Sequence, residues 1–445
     1  YQGDADYRGW NRPAVATGWE CLDFTTTASK WLYPHAVRLA DDSVLVAVQE
    51  SGSVITVWKR SATANTWTEI TVATHGTYTF GAFPTLVVMP SGRVHLYAWW
   101  EDSATAVAVR MYYSDDSGAT WTLGSKSVLP GTLTVGGTIS PKRLRAATYN
   151  GQVLLVAGLT DTSLTYDHYL KQYASIDGGS SFSLVETWTG ASTTTHAAYH
   201  DLVVVNGYFV LGYLASDATN SLPRLRRIAN AYSAYSSATV LTGYDTAYSA
   251  YNWSTLTGAV IDYAAVGDGD YALALDEDGT LYTLGRNHSG GGGLRECVLI
   301  RSVDGGVTAD AVGSSSATAG SGTWWNHQDA TTYPAGWCAV AQAGRLLVPS
   351  VRVADGTTTD PSLDVVYLGG YSTVTMPPTA TAAIRQTSWE RTWWALTFPE
   401  AAASVWALTT GGAPAVSLTQ LGTRITGAGG DAAVWRSTVV APVST

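Results

Sequence analysis

The sequence predicts an all-β chain: a six-bladed β-propeller of four-stranded antiparallel blades, with short flanking segments. Three observations predict it. The apolar runs are short and rich in Val, Leu and Tyr, as in "RVHLYAWW", "VAVRMYY", "QVLLVAG" and "YFVLGYL". Runs of this length and period read as strands. A glycine turn recurs along the chain, and a second, acid-centred turn follows it in phase.

The glycine turn joins the first two strands of each unit. It occurs in "LADDSVLV", "MPSGRVHL", "TYNGQVLL", "VVNGYFVL", "DEDGTLYT" and "AQAGRLLV", with reference positions Asp42, Gly92, Gly151, Gly207, Gly279 and Gly344. Glycine holds all but the first, because it takes φ > 0 in a tight hairpin without steric cost. The acid turn is complete in "YYSDDSGATW", with Ser114, Asp116, Gly118 and Trp121. Ser175, Asp177, Gly179 and Phe182 repeat it, and Ser302, Asp304 and Gly306 keep all but the aromatic. Residues 61–67 and 233–239 are expected as worn copies, and the sixth unit has only Gly369-Gly370 there. Each unit then reads as strand, glycine turn, strand, loop, strand, acid turn, strand. Four strands in roughly 50–70 residues are a propeller blade. The expected boundaries are 1–29 for an N-terminal arm or linker and 30–380 for the propeller. Residues 381–445 read as a C-terminal β-rich segment or the start of a further module.

Composition narrows the function. Charged residues make up 13% of the chain and the net charge is -10. Low charge without a basic run argues against a nucleic-acid partner. No apolar run approaches the roughly 18–20 residues that span a bilayer, so membrane insertion is not expected. Cys21, Cys297 and Cys338 lack metal-ligand spacing, and no metal or other cofactor is expected. The chain opens on Tyr1 without a signal peptide and is expected to be a processed form or an excerpt.

The acid turns resemble those of the Asp-box (bacterial neuraminidase repeat) family, which includes sialidases and many propellers that are not sialidases. The resemblance covers residues 30–380. It implies that Asp116 and Asp177 are structural, accepting backbone N–H bonds within their own turns on the rim. It also implies where sialidase chemistry would sit. In "WLYPHAVRLADDSVLVAVQE" Pro34 and Glu50 match the family's first blade, but Leu32 stands where its first arginine would be. Arg38 lies further along the strand and is not that position. The acid/base Asp needs a long loop after Glu50, and "SGSVITVWKR" leaves almost no room for one. Gly370-Tyr371-Ser372 resembles the nucleophile segment, yet "AYS" occurs three times elsewhere. An exo-sialidase is therefore not expected.

In a propeller the start of each first strand, and the loop before it, line the central face. That position holds Trp31, Tyr33 and His35, then Phe83, then Arg143 and Arg145, then His196, Tyr199 and His200. Trp253 follows, and the last unit brings Trp324, Trp325, His327, Asp329 and Tyr333. Rings beside a few polar groups suit a sugar: the rings cover its apolar face and the polar groups bond its hydroxyls. The expected function is a non-catalytic recognition propeller, a glycan- or host-surface-binding component of a phage tail. Its setting would be a virion or extracellular. Its partners would be a glycan or cell-surface receptor and other structural proteins of a larger assembly. The alternative is a glycoside hydrolase of sialidase-like fold with non-sialidase specificity, using carboxylates among Asp262, Asp329, Glu50 and Glu101. Such enzymes need two carboxylates at a defined separation. A purely structural virion or cell-surface module is the second alternative.

Overall fold

A computed structural model describes residues 16–24, 31–50, 54–62, 66–74, 82–103, 106–131, 133–134, 139–161, 167–189, 195–217, 220–241, 271–275, 279–288, 295–302, 304–307, 310–313, 326–327, 338–342, 345–353, 361–369, 384–386, 393–398, 407–408, 416–420 and 431–439. Among these residues every regular element is a strand, apart from one short 3-10 turn at Tyr235–Ser237.

Strand β1 is Ala16–Phe24. Strands β2 (Trp31–Arg38), β3 (Val44–Glu50), β4 (Val54–Arg60) and β5 (Trp67–Thr74) pair in sequence order. The next sheet orders β6 (Thr85–Val88), β7 (Val94–Ser103) and β8 (Ala106–Ser114), with β9 (Thr122–Ser125) and β10 (Leu133–Thr134) both on β8. Then come β11 (Ile139–Tyr149), β12 (Gln152–Asp161), β13 (Asp167–Ser175) and β14 (Ser183–Thr189). They are followed by β15 (Thr195–Val205), β16 (Tyr208–Asp217), β17 (Asn220–Ile228) and β18 (Thr239–Val240). A fifth sheet orders β19 (Tyr271–Leu275), β20 (Leu281–His288), β21 (Arg295–Ser302) and β22 (Asp310–Gly313), with β23 (Asn326–His327) also on β21. Strands β24 (Val340–Gln342), β25 (Arg345–Val353) and β26 (Pro361–Gly369) take β1 as their fourth strand. Last, β27 (Ile384–Gln386), β28 (Trp393–Phe398), β29 (Ala407–Leu408), β30 (Val416–Gln420) and β31 (Asp431–Val439) form a separate sheet.

The sheets are antiparallel blades of a β-propeller. Their first strands are neighbours in the order β2, β6, β11, β15, β19, β24, and β24 returns to β2. The sequence predicts six uniform four-stranded blades, and the structure corrects this: four sheets have that form. The two five-stranded sheets within the ring depart for a local reason. β8 pairs β10 through Ala106 and Val107 and pairs β9 through Met111–Tyr113, so its outer edge is shared by two short strands. β21 is shared between β22 and β23 in the same way.

Burial explains why these strands read as continuous apolar runs. Val44, Val46 and Val48 of β3 pack with Cys338, Val340, Leu347 and Val365 of the last unit. Leu45 and Ala47, on the other face of the same strand, pack with Leu86, Leu96 and Ala98 of the next sheet. A strand covered on both faces needs apolar side chains at every position, so period-2 alternation fades.

The turns follow the sequence closely. Asp42, Gly92, Gly151, Gly207 and Gly279 all have φ between 65° and 85°; Gly344 lies outside the described residues. In the acid turn, Ser114 Oγ donates to Asp116 Oδ1 (2.7 Å) and accepts from the Gly118 N–H (2.8 Å). Asp116 accepts from the Thr120 N–H (2.8 Å) and hydroxyl (2.6 Å). Ser175, Asp177 and Ser181 repeat these bonds, and Ser302 with Asp304 and Gly306 keeps the serine part. The aromatics anchor the turns: the Trp121 indole N–H donates to Gly118 O (3.1 Å), and Phe182 is buried. The worn copies sit elsewhere than expected. Ser114, Ser175 and Ser302 each pair with the first or second residue of the preceding strand. In that register Arg60 and Ile228 hold the serine position, rather than Ser61 and Ser233.

The bonds from Thr120, first its hydroxyl and then its N–H, hold the Asp116 carboxyl down to about 2. A depressed carboxyl pKa adds stability that is present above the unfolded value and lost as pH falls through the folded one. Asp116→Asn is therefore expected to be less stable than the parent at neutral pH. The gap should close as pH falls from about 4 to about 2, the window set by the unfolded and folded values. Denaturant midpoints of both proteins across that range check it, and a gap independent of pH would contradict it.

Candidate functional site

The first strands converge on an axial cluster of polar side chains. Arg145 on β11 donates from Nε to Asp201 Oδ1 on β15 (2.8 Å), and both side chains are almost fully buried. Asp201 also accepts the N–H of Leu202 on Oδ1 (2.9 Å) and of Leu273, on β19, on Oδ2 (2.8 Å). One carboxylate thus joins three successive blades. Arg143 donates to His200 O (3.1 Å), and the His200 ring, through Nε2, reaches Val156 O (3.2 Å). His35 on β2 accepts the Leu86 N–H at Nδ1 (3.0 Å). Burial first, then the charges of Arg145 and Arg143, hold its pKa well below the usual histidine value. His35 is a neutral acceptor that ties the first blade to the second. Burial likewise pushes the Cys338 thiol up, with the same arginines and Asp201 within electrostatic reach.

Below this cluster, toward the glycine turns, a cavity of about 450 Å³ lies on the axis. Each first strand, or the residue beside it, contributes to its wall, including His35, Leu86, Ala146, Asp201, Leu273 and Val340. The ring closes beside it. Arg60 donates to Gln342 Oε1 (2.7 Å), and Gln342 Nε2 donates to Asp42 O, linking the last unit to the first.

The opposite face, where the first strands begin, is acidic by register. Glu50 is the last residue of β3 and pairs with Trp31, the first of β2. Glu101 lies on β7 beyond the start of β6. Asp161 ends β12 opposite Ile139, the first residue of β11, and Asp217 ends β16. Four consecutive second strands therefore carry an acid at or near this end. Glu50 and Glu101 are half-buried.

Of the residues expected to line a sugar-binding face, the structure brings together His35, Arg143, Arg145 and His200, all buried in the ring. Phe83 is buried between the second and third sheets with φ 43°. Trp31 and Tyr33 lie on β2, His196 and Tyr199 on β15, and His327 on β23 opposite Arg295. Trp253, Trp324, Trp325, Asp329 and Tyr333 lie outside the described residues, as do Asp262 and Tyr371. Leu32 lies on β2 opposite Gln49. Sequence reasoning missed Asp201, Asp161 and Asp217. The last two were marked by a repeat: each falls at the end of the apolar run that follows a glycine turn.

No protein-family model matches the chain, and no curated protein sequence does. Solved structures do. A GH93 α-L-arabinofuranosidase of Fusarium graminearum, in complex with arabinobiose, has 11% identity and a TM-score of 0.52. The match covers 78% of this chain and 97% of that one. The Fusarium graminearum enzyme Arb93A with an iminosugar inhibitor covers the same shares at 10% identity and a TM-score of 0.51. The Trypanosoma rangeli sialidase is more distant, with a TM-score of 0.47 at 11% identity, covering 88% of this chain and 69% of that one. At such identities the likeness is one of fold. It corrects the expectation of a non-catalytic phage-tail binder, because structures that share the fold along nearly their whole length are glycosidases.

Proposed function

We propose that this chain is a glycoside hydrolase on an Asp-box, sialidase-like propeller, and that its substrate is a neutral glycoside. The observation that carries the reading is the fold shared along 97% of the α-L-arabinofuranosidase chain. The blade count we propose is six, with each divided outer edge, on β8 and on β21, counting as one strand position. Leu32, where a sialidase would place its arginine, supports a substrate without a carboxylate, since nothing at that position can pair with one.

The chemistry needs two carboxyl groups across a scissile glycosidic bond. One, protonated, gives its proton to the leaving oxygen. The other attacks the anomeric carbon at about 5–5.5 Å separation, or activates a water at about 6.5–9.5 Å. Glu50, Glu101, Asp161 and Asp217 are the described candidates, since their strands end on the face where the first strands begin. The axial Arg145–Asp201 pair is not among them, because its carboxylate is already used by one guanidinium and two backbone N–H groups.

Incubating the protein with 4-nitrophenyl glycosides of neutral pentoses and hexoses, with arabinan, and with sialyllactose is expected to give turnover on a neutral substrate and none on sialyllactose. Amide substitution of each of the four acids in turn should lower kcat by roughly 10²–10⁴-fold at two of them. The melting temperatures should stay within a few degrees of the parent. No turnover on any neutral glycoside would remove the hydrolase reading.

A further inference from the structure

Between the second and third blades, on the turn face, lies a groove of about 780 Å³. Pockets of about 300–1,000 Å³ take small organic ligands. The groove is remote from the strand ends proposed for catalysis: it is lined by the glycine turn of the second blade and the acid turn of the third. His95 forms part of its wall, and the residue is only 4% exposed.

The orientation of the His95 ring follows from a short hydrogen-bond chain. The Tyr97 hydroxyl has one proton, and it donates to Gly179 O (3.1 Å). Its contact with His95 Nδ1 (3.0 Å) must then be donated by the imidazole. With the proton on Nδ1, Nε2 is left as a bare acceptor. No hydrogen bond to Nε2 is made by any described residue, although the side chain is buried. Burial lowers the His95 pKa to about 4, so the ring stays neutral at pH 7. His95 lines the groove, so a ligand hydroxyl there could donate to this free acceptor.

The rest of the wall narrows the ligand class. Arg93 holds Asp115 through two bonds (2.6 and 2.9 Å) and lies 4.4 Å over the Tyr113 ring, so its charge is already matched. Asp177 adds a second carboxylate. No cation is left over for an anionic ligand. Met89 and Met111 supply an apolar patch beside these groups. Apolar surface, a neutral acceptor and a closed ion pair suit a molecule with both C–H faces and hydroxyl groups.

We propose that this groove is a second, non-catalytic binding site for a neutral saccharide of one or two units, with His95 Nε2 accepting a sugar hydroxyl. Only the ligand class rests on the glycoside-hydrolase reading. The groove would hold a strand of polymeric substrate on the face opposite the reaction.

The test uses the full chain labelled with ¹⁵N-histidine, titrated with arabinobiose, cellobiose, lactose and, as the anionic comparison, sialyllactose. At least one neutral disaccharide should shift the His95 Nε2 resonance, and sialyllactose should not. His95→Phe keeps a ring and loses the acceptor, and should weaken groove binding about tenfold. Ser91→Trp fills the groove from its exposed rim and leaves the His95–Tyr97 chain intact, so it covers the case in which His95→Phe does not fold. Both variants should hydrolyse short chromogenic glycosides like the parent. An unmoved Nε2 resonance with every neutral sugar, or equal binding by Ser91→Trp, overturns the proposal. Groove binding by a protein without turnover would sink the hydrolase reading alone, and turnover with a silent groove would sink this one alone.

Discussion

Asp201→Ala is expected to cost the fold about 3–5 kcal/mol, the penalty for breaking a buried ion pair from one side. The loss has three parts. The Arg145 guanidinium is left charged in the ring without its carboxylate. The N–H groups of Leu202 and Leu273 lose their acceptor. The tie from β15 to β11 and β19 is removed at the axis, where the Asp201 and Arg145 side chains are almost fully buried. Asp201→Asn should fall between, because the amide oxygen still accepts one N–H while the charge pairing is gone. Replacing the pair by Arg145→Met with Asp201→Leu should recover only part of the loss, since both backbone donors stay unsatisfied. Denaturant midpoints at constant pH measure all three. A loss below about 1 kcal/mol for Asp201→Ala would mean that the axis is wet or free to relax.

Gly179→Ala is the second large effect, expected at about 2–4 kcal/mol from backbone strain and overpacking together. Gly179 has φ +80°, which an L residue rarely adopts. A methyl there would stand 2.1 Å from Tyr97 Oη, across the boundary between the second and third blades. Tyr97 is fully buried and donates that hydroxyl to Gly179 O, so it cannot swing away without losing its bond. Gly178→Ala is the internal comparison. Its φ is +72°, but nothing lies within 4 Å of the added carbon, so only the strain of about 1–2 kcal/mol remains. Placing Gly179→Ala on a Tyr97→Phe background removes the obstructing oxygen and should shrink its effect. A double-mutant cycle reads the coupling directly, and additive effects would show that the two residues do not meet.

Much of the fold was legible because its signals are local. A hairpin needs φ > 0 at one residue, and Asp42, Gly92, Gly151, Gly207 and Gly279 supply it. The acid turn closes hydrogen bonds between residues two to four apart, so Ser114, Asp116 and Thr120 display their geometry in their spacing. Worn copies were less legible. Once the serine and acid are gone, only strand pairing tells that Arg60 and Ile228 stand in the serine's place. The candidate site was legible in part. His35, Arg143, Arg145 and His200 do converge, but their bonds go to Asp201 and to backbone groups of the neighbouring blades. Asp201 could not be read as the partner of Arg145, because 56 residues separate them.

The sequence by itself determined the repeat, the turn chemistry and the β character of each unit. These depend on backbone dihedrals and on bonds between near neighbours, which residue type and spacing control. Only the tertiary structure decided that β1 completes the sheet of β24–β26 by pairing antiparallel with β26, that β8 and β21 divide their outer edges, and that His95 turns a bare nitrogen toward a groove. Each of these depends on partners far apart in the chain or on the direction of a single proton. No local pattern encodes either, because the contact exists only once the ring has formed.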